Sequence, residues 1–230
     1  MIHPWKNNSL PVCRSRPIED FRTRLYLISP PAIDLDAFEE AAKAALSGGD
    51  IACFQLRLKD QPADVIRAAT ERLMPLFQEH EVAFLLNDDP KLAKELGTDG
   101  VHVGQDDTPY KEARAIVGEQ AIVGVTCHNS RHLAMTAAEN GADYVAFGAF
   151  YPTTTKDAKF SAEPELLSWW SSLVETPCVA IGGITVDNAE PLIKSGADFL
   201  AISGGIWNHS DGPEAAVRDL NRVIDNLIAS

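Results

Sequence analysis

The chain reads as short apolar runs separated by longer segments of helical period, and this alternation repeats along its length. The runs at 24–29, 51–59, 83–86, 100–103, 121–125, 144–147, 178–181 and 199–202 are too short for stable helices and are rich in aliphatic side chains, which predicts strands. Between and after them, segments 35–46, 65–79, 90–97, 108–117, 131–140, 163–174, 187–195 and 213–228 carry the pattern of helices packed by one face. Local signals fit these boundaries. Glycine stops the helical pattern at Gly48, Gly97, Gly141 and Gly196, and Pro90 opens the third helix. Pro75 is expected to kink or split the second helix. Asp89 and Thr108 each precede a proline and are expected N-caps.

Eight strands, each followed by a helix, imply a parallel sheet, because parallel neighbours need a crossover connection. At this length the expected fold is a single-domain α/β (β/α)8 TIM barrel over 23–230, with a doubly wound open sheet as the alternative. Residues 1–22 lack the apolar centre of a secretory signal and are expected to form an irregular N-terminal extension. A chain of 230 residues with 45% hydrophobic content can bury one large core, and no apolar stretch approaches the length that spans a bilayer. Cys13, Cys53, Cys127 and Cys178 show no CxxC spacing, which favours reduced thiols in a cytoplasmic protein over a zinc site. A net charge of −13 argues against nucleic acid or an anionic membrane as partner and leaves small molecules, with a homo-oligomer open. An acidic chain that binds phosphates must gather its few cations locally or borrow the charge of a metal.

The chemistry gathers where the strands end. Asn87-Asp88 follows the third strand and Gln105-Asp106-Asp107 the fourth, so parallel neighbours bring two acidic clusters together at the carboxyl edge. Asp88 and Asp107, both clear of the capping positions, are candidate ligands for Mg²⁺, which takes one or two protein carboxylates and keeps water or phosphate elsewhere. In the second strand a period of two sets Gln55, Arg57 and Lys59 on the face opposite Phe54, Leu56 and Leu58. Cations inside a barrel need anionic partners, and the spacing alone leaves two open: a bound anion, or Asp88 and other acids in an internal ion-pair network. Glycines after strands seven and eight, in VAIGGI (179–184) and AISGG (201–205), suit phosphate seats, although glycine also serves tight turns. The loop YPTTTK (151–156) offers three hydroxyls and a cation, and reads equally as a polar surface loop. Cys127 and His128 are adjacent at a strand end and point to opposite faces, which spoils a nucleophile–base pair. His102, inside a strand, reads as a satisfied core histidine.

With QLRLK at 55–59, LNDD at 86–89, DGVHVGQDD at 99–107, GVTCH at 124–128, GADYVAFGAFYPTTTK at 141–156, VAIGGI at 179–184 and GADFLAIS at 196–203, the chain resembles the thiamine phosphate synthase family over about 24–206. The resemblance implies a Mg²⁺-dependent transferase that joins a hydroxymethylpyrimidine diphosphate to a thiazole phosphate by a dissociative mechanism, with release of diphosphate. It implies metal ligation by Asp88 and Asp107, and contacts to the diphosphate from Gln55, Arg57, Lys59, Asn87 and Lys156. Thr126 would meet the diphosphate or the pyrimidine, and Arg57, Thr126 and Lys156 are the implied catalytic residues. Thr153 and Thr155 would order the thiazole side, and Gly183, Ile202 and Ser203 would seat its phosphate. Two positions depart from the family pattern: Asp89 stands where resembling sequences usually carry Arg, and Thr126 where Ser is more frequent. Two other readings share the fold: a thiazole tautomerase-like isomerase moving protons through His128, and a non-catalytic thiazole phosphate-binding protein motivated by Asp89.

Overall fold

A computed structural model describes residues 22–153 and 160–229. Eight strands, β1 (Arg24–Ile28), β2 (Cys53–Leu56), β3 (Ala83–Asn87), β4 (Gly100–Val103), β5 (Ile122–His128), β6 (Tyr144–Gly148), β7 (Cys178–Ile181) and β8 (Phe199–Ile202), pair in chain order. β8 returns to β1 through Leu27↔Ile202, and every pairing is parallel, so the sheet closes as a barrel. The described α-helices are α1 (Leu35–Ser47), α2 (Ala63–Gln78), α3 (Pro90–Leu96), α4 (Tyr110–Val117), α5 (Arg131–Glu139), α6 (Pro164–Leu173), α7 (Glu190–Lys194), α8 (Gly204–Trp207) and α9 (Gly212–Ile228). The expected (β/α)8 barrel is the observed fold. Most of the extension expected over 1–22, and the candidates Thr155 and Lys156, lie outside the described residues.

Strand alternation sorts the apolar side chains into two layers. Leu25, Phe54, Phe84, Val101 and Val125 point outward under the helices, while Tyr26, Cys53, Leu85, Ile122 and Tyr144 point into the barrel. The outer layer is heaviest where Phe54 stacks on Phe77 at 4.0 Å and Trp207 lies 4.7 Å from Phe38, so that β2, α1, α2 and α8 share one aromatic cluster. Burying a ring of this size stabilises by about 1.5–3 kcal/mol. At the amino-terminal end, three helices stop at glycines in the left-handed region, Gly97 (φ 67°), Gly141 (φ 92°) and Gly196 (φ 90°). Two residues later an aspartate reaches back to the preceding strand. Asp99, Asp143 and Asp198 accept the N–H groups of Phe84, Val123 and Cys178 at 2.8, 2.7 and 2.7 Å. The repeated Gly-x-Asp therefore ends a helix and fixes the start of the next strand.

Local departures from the expected boundaries have identifiable causes. β2 ends at Leu56 instead of Lys59, because the Arg57 N–H donates to the Ser29 Oγ at 2.8 Å in place of a neighbouring strand carbonyl. The alternation nevertheless persists, with Leu58 buried on the helix side. Thr108 is not an N-cap: Pro109 itself holds the extended cap conformation (ψ 145°), so α4 begins at Tyr110 and the Thr108 hydroxyl falls one residue outside reach. Asp89 does cap α3, accepting from Lys91 and Leu92 N–H at 3.0 and 2.9 Å. α2 runs unbroken through Pro75, and the expected helix 187–195 is a 3-10 turn, Val186–Asn188, followed by α7.

Candidate active site

Because all strands run the same way, their carboxyl ends share one rim, and the rim collects the candidate residues. On β2, Gln55 is 3% exposed and Arg57 is half-buried beyond it, whereas Lys59 is exposed on the turn that follows. The Arg57 Nη1 is buried with no hydrogen-bond partner among the described residues, although the guanidinium still acts electrostatically on the Asp88 carboxylate, so Arg57 has an acid nearby and a donor left over. A buried donor of this kind calls for an acceptor.

β3 delivers Asn87 inward and then turns sharply. Asp88 takes the left-handed conformation (φ 64°), and its N–H donates to the His102 carbonyl of β4 at 2.8 Å. The turn carries the Asp88 carboxylate toward the loop after β4, where Asp107 is within hydrogen-bonding reach. Asp107 is itself oriented by the Gly104 N–H, which donates to its Oδ2 at 2.8 Å. Burial, together with the hydrogen bond and negative charge of Asp107, pushes the Asp88 carboxyl up to about 6, and the nearby Arg57 and Lys59 only partly offset the rise. Two carboxylates held this close fit a small dipositive cation, which would replace their repulsion by shared attraction.

Below these residues, the barrel interior carries a line of hydrogen bonds. Gln55 Nε2 donates to Asn87 Oδ1 at 2.6 Å, and Tyr26 donates to Gln55 Oε1 at 3.0 Å. The Tyr26 and Tyr144 hydroxyls are 2.8 Å apart, Tyr144 is 2.8 Å from His102 Nδ1, and His102 Nε2 is 2.7 Å from Thr126 Oγ1. Burial and, for Tyr26, the neighbouring Tyr144 drive both phenols well above their ordinary range, so both keep their protons. Gly124 makes room for this line, since a Cβ there would lie 1.9 Å from the Tyr144 Cζ. Tyr26 and Tyr144 were not candidates in the sequence, because alternation reads them as core and nothing local pairs β1 with β6. Ser29, which anchors the Arg57 backbone, also escaped notice.

The remaining described candidates sit on the same rim. Thr126 is half-buried near the end of β5, and Gln105 Nε2 donates to its carbonyl at 2.5 Å, tying the β4 loop to β5. A register shift between Thr126 and His128 marks a bulge, and His128 (φ 52°) turns its ring against Phe160, 4.6 Å away. Cys127 instead faces the helix-side core, where burial pushes its thiol up to about 12, so it is no nucleophile. After β7, Gly183 (φ 63°) packs so closely on the β6 loop that a Cβ would lie 2.4 Å from the Pro152 carbonyl, beside Thr153. Gly205 meets the Ile184 carbonyl as tightly, at 2.2 Å, so the loops after β6, β7 and β8 close on one another. Ile202 ends β8 with its side chain in the outer core, which leaves only its backbone to face a ligand. Ser203 Oγ donates to the Ser29 carbonyl at 3.4 Å. Trp207 Nε1 donates to the Ile28 carbonyl at 2.6 Å, which pins the segment after β8 against β1.

Fold and rim define a parallel (β/α)8-barrel protein with an ionisable, partly buried site at the carboxyl edge of its strands. The family model described as thiamine monophosphate synthase matches residues 25–206, and the chain belongs to that family. It is similar to the thiamine-phosphate synthase of Rhodospirillum centenum, 64% identical over 201 residues, covering 87% of this chain and 97% of that protein. The thiamine-phosphate synthase of Hyphomonas neptunium is 56% identical over 211 residues, covering 90% and 96%. Among solved structures, thiamine phosphate pyrophosphorylase from Pyrococcus furiosus superposes with a TM-score of 0.78 at 30% identity, covering 89% of this chain and 96% of that one.

Proposed function

We propose that this protein is a thiamine-phosphate synthase. It is a transferase joining 4-amino-5-hydroxymethyl-2-methylpyrimidine diphosphate to 4-methyl-5-(2-phosphoethyl)thiazole, or the carboxylated form of the latter, to give thiamine phosphate and diphosphate. The observation that carries the reading is the opposed pair Asp88 and Asp107 beside the buried Arg57 Nη1, which has no hydrogen-bond partner among the described residues. A diphosphate bound through Mg²⁺ answers both, giving the carboxylates a cation and the guanidinium an anion. Family membership and 64% identity to a protein named thiamine-phosphate synthase support the same reading.

In the reaction the bond between the pyrimidine methylene carbon and the diphosphate oxygen breaks, and its electron pair leaves with the diphosphate. The amino group of the ring supplies electron density to the carbon, and the thiazole nitrogen then donates its lone pair to form the new C–N bond. Asp88 and Asp107 would hold Mg²⁺, which when bound would supply charge neutralisation for the leaving diphosphate. Arg57 stabilises the same developing charge, with Lys59 and Lys156 assigned as further cations. Gln55 and Asn87, expected at the diphosphate, share one hydrogen-bonded line with Thr126, and we assign all three to the pyrimidine end instead. Gly183, Ile202 and Ser203 seat the thiazole phosphate through backbone N–H groups, with Thr153 and Thr155 on the thiazole side. No side chain needs to act as nucleophile, which agrees with the inert, buried Cys127.

The reading assigns the protein to the cytoplasm, with small molecules as its partners and Mg²⁺ as its cofactor. Among the described residues, no helix is long and apolar enough to cross a membrane. Incubation with both substrates and Mg²⁺, followed by chromatography for thiamine phosphate, tests the assignment. Product must appear, and its absence would reject the reading.

A further inference from the structure

We infer that His102 and Tyr144 are positioning residues that fix the Thr126 hydroxyl as a hydrogen-bond acceptor toward the ligand, through a one-way chain of hydrogen bonds across the barrel. The inference rests on the reading of this site as one that takes an aminopyrimidine.

With the Gln55 amide oriented as it is, its oxygen toward Tyr26 and its nitrogen toward Asn87, the direction of the chain follows from counting protons. Gln55 gives an amide N–H to Asn87 Oδ1 and uses its Oε1 to accept from Tyr26, so the single Tyr26 proton is committed. The Tyr26 oxygen can then only accept from Tyr144, 2.8 Å away, which commits the Tyr144 proton in turn. Tyr144 therefore accepts from His102, and Nδ1, at 2.8 Å, carries the imidazole proton. With the ring neutral, Nε2 is an acceptor, and the Thr126 hydroxyl 2.7 Å away must point its proton at it. The chain links Thr126, His102, Tyr144, Tyr26, Gln55 and Asn87, one residue from each of β5, β4, β6, β1, β2 and β3.

The two ends consequently offer opposite chemistry. Thr126 presents oxygen lone pairs, while Asn87, its Oδ1 already accepting, presents its amide N–H groups. A ligand lying between them must donate at the Thr126 end and accept at the Asn87 end. An aminopyrimidine has both functions in one plane, an exocyclic amino group and ring nitrogens. The same polarity means that Thr126 does not donate to the diphosphate, a role its hydroxyl would otherwise be free to take. The barrel is shaped for this relay: Gly124 leaves the space that the Tyr144 ring fills, and any Cβ there would overlap it.

The test is the tautomer of His102, read by ¹⁵N NMR of histidine-labelled protein without substrate. A neutral ring protonated at Nδ1 is expected. Protonation at Nε2, or an imidazolium, would reverse the polarity of Thr126 and overturn the inference. Because no turnover is needed, this result stands apart from the assigned reaction, which fails only if the product is not formed. Tyr144→Phe removes the acceptor of the Nδ1 proton, and the tautomer should switch to Nε2–H. An unchanged tautomer would reduce Tyr144 to core packing. In calorimetry, Tyr144→Phe should weaken the pyrimidine diphosphate about three- to ten-fold, the scale of one neutral hydrogen bond, and leave thiazole phosphate binding unchanged. Thr126→Ser, which keeps the hydroxyl, should retain the wild-type response to Tyr144→Phe. Equal weakening of both ligands would indicate general damage and count against the inference.

Discussion

Asp88 and Asp107 stand within hydrogen-bonding reach of each other across the carboxyl ends of β3 and β4, one swung round by a left-handed turn, the other held by the Gly104 N–H. Burial, with the hydrogen bond and charge of Asp107, holds the Asp88 carboxyl above its ordinary range. If the pair exists to hold Mg²⁺, Asp88→Asn and Asp107→Asn should each lose most activity and shift the Mg²⁺ dependence of the remainder while the barrel stays folded. Turnover and Mg²⁺ titration identical to the parent in both variants would remove the metal assignment.

The same pair predicts how stability depends on pH. The Asp88 carboxyl sits at about 6 in the folded protein against an ordinary 3.8, so the folded state binds this proton more tightly than the unfolded one. Its stabilising contribution is therefore full below the ordinary value and is lost as pH rises through about 6. The metal-free protein should lose stability across this window, and Asp88→Asn should flatten that part of the profile. Added Mg²⁺ should recover the melting temperature at neutral pH, because it binds the folded state. A melting temperature indifferent to Mg²⁺ would contradict the account.

Arg57→Met should lower turnover by a factor of roughly 10²–10³, as when one preorganised charge-stabilising donor is removed. Stability should hold or rise, since the substitution removes a buried donor that lacks a partner among the described residues. Retained activity with a collapsed melting temperature would make Arg57 a structural residue.

Asp89 is exposed, and its carboxylate is occupied by the Lys91 and Leu92 N–H groups at the start of α3. Asp89→Arg should cost about 1 kcal/mol through loss of the cap and improve affinity for the pyrimidine diphosphate, the parent being already active. An inactive parent that Asp89→Arg switches on would instead mark a lost function and favour the binding-protein reading.

The barrel was legible because its strands are buried on both faces and its helices on one, so that hydrophobic period alone separates the two. Asp88 and Asp107 were legible for a related reason: parallel neighbours bring equivalent strand ends together whatever the intervening helix does. Which atoms of Arg57 are satisfied depends on the side chain's surroundings, which the strand period does not give. The Tyr26–Tyr144 contact was beyond reach, since it joins residues on β1 and β6 that no local pattern relates. Thr108 failed as a cap through a single backbone angle at Pro109, which the dipeptide Thr-Pro does not determine.

The most direct measurement is a single reaction containing the protein, the pyrimidine diphosphate and the thiazole phosphate, run with Mg²⁺ and with chelator. The account predicts thiamine phosphate and diphosphate in equal amounts with Mg²⁺, and neither when the metal is withdrawn. Absence of product at every Mg²⁺ concentration, or product formation untouched by the chelator, would contradict it.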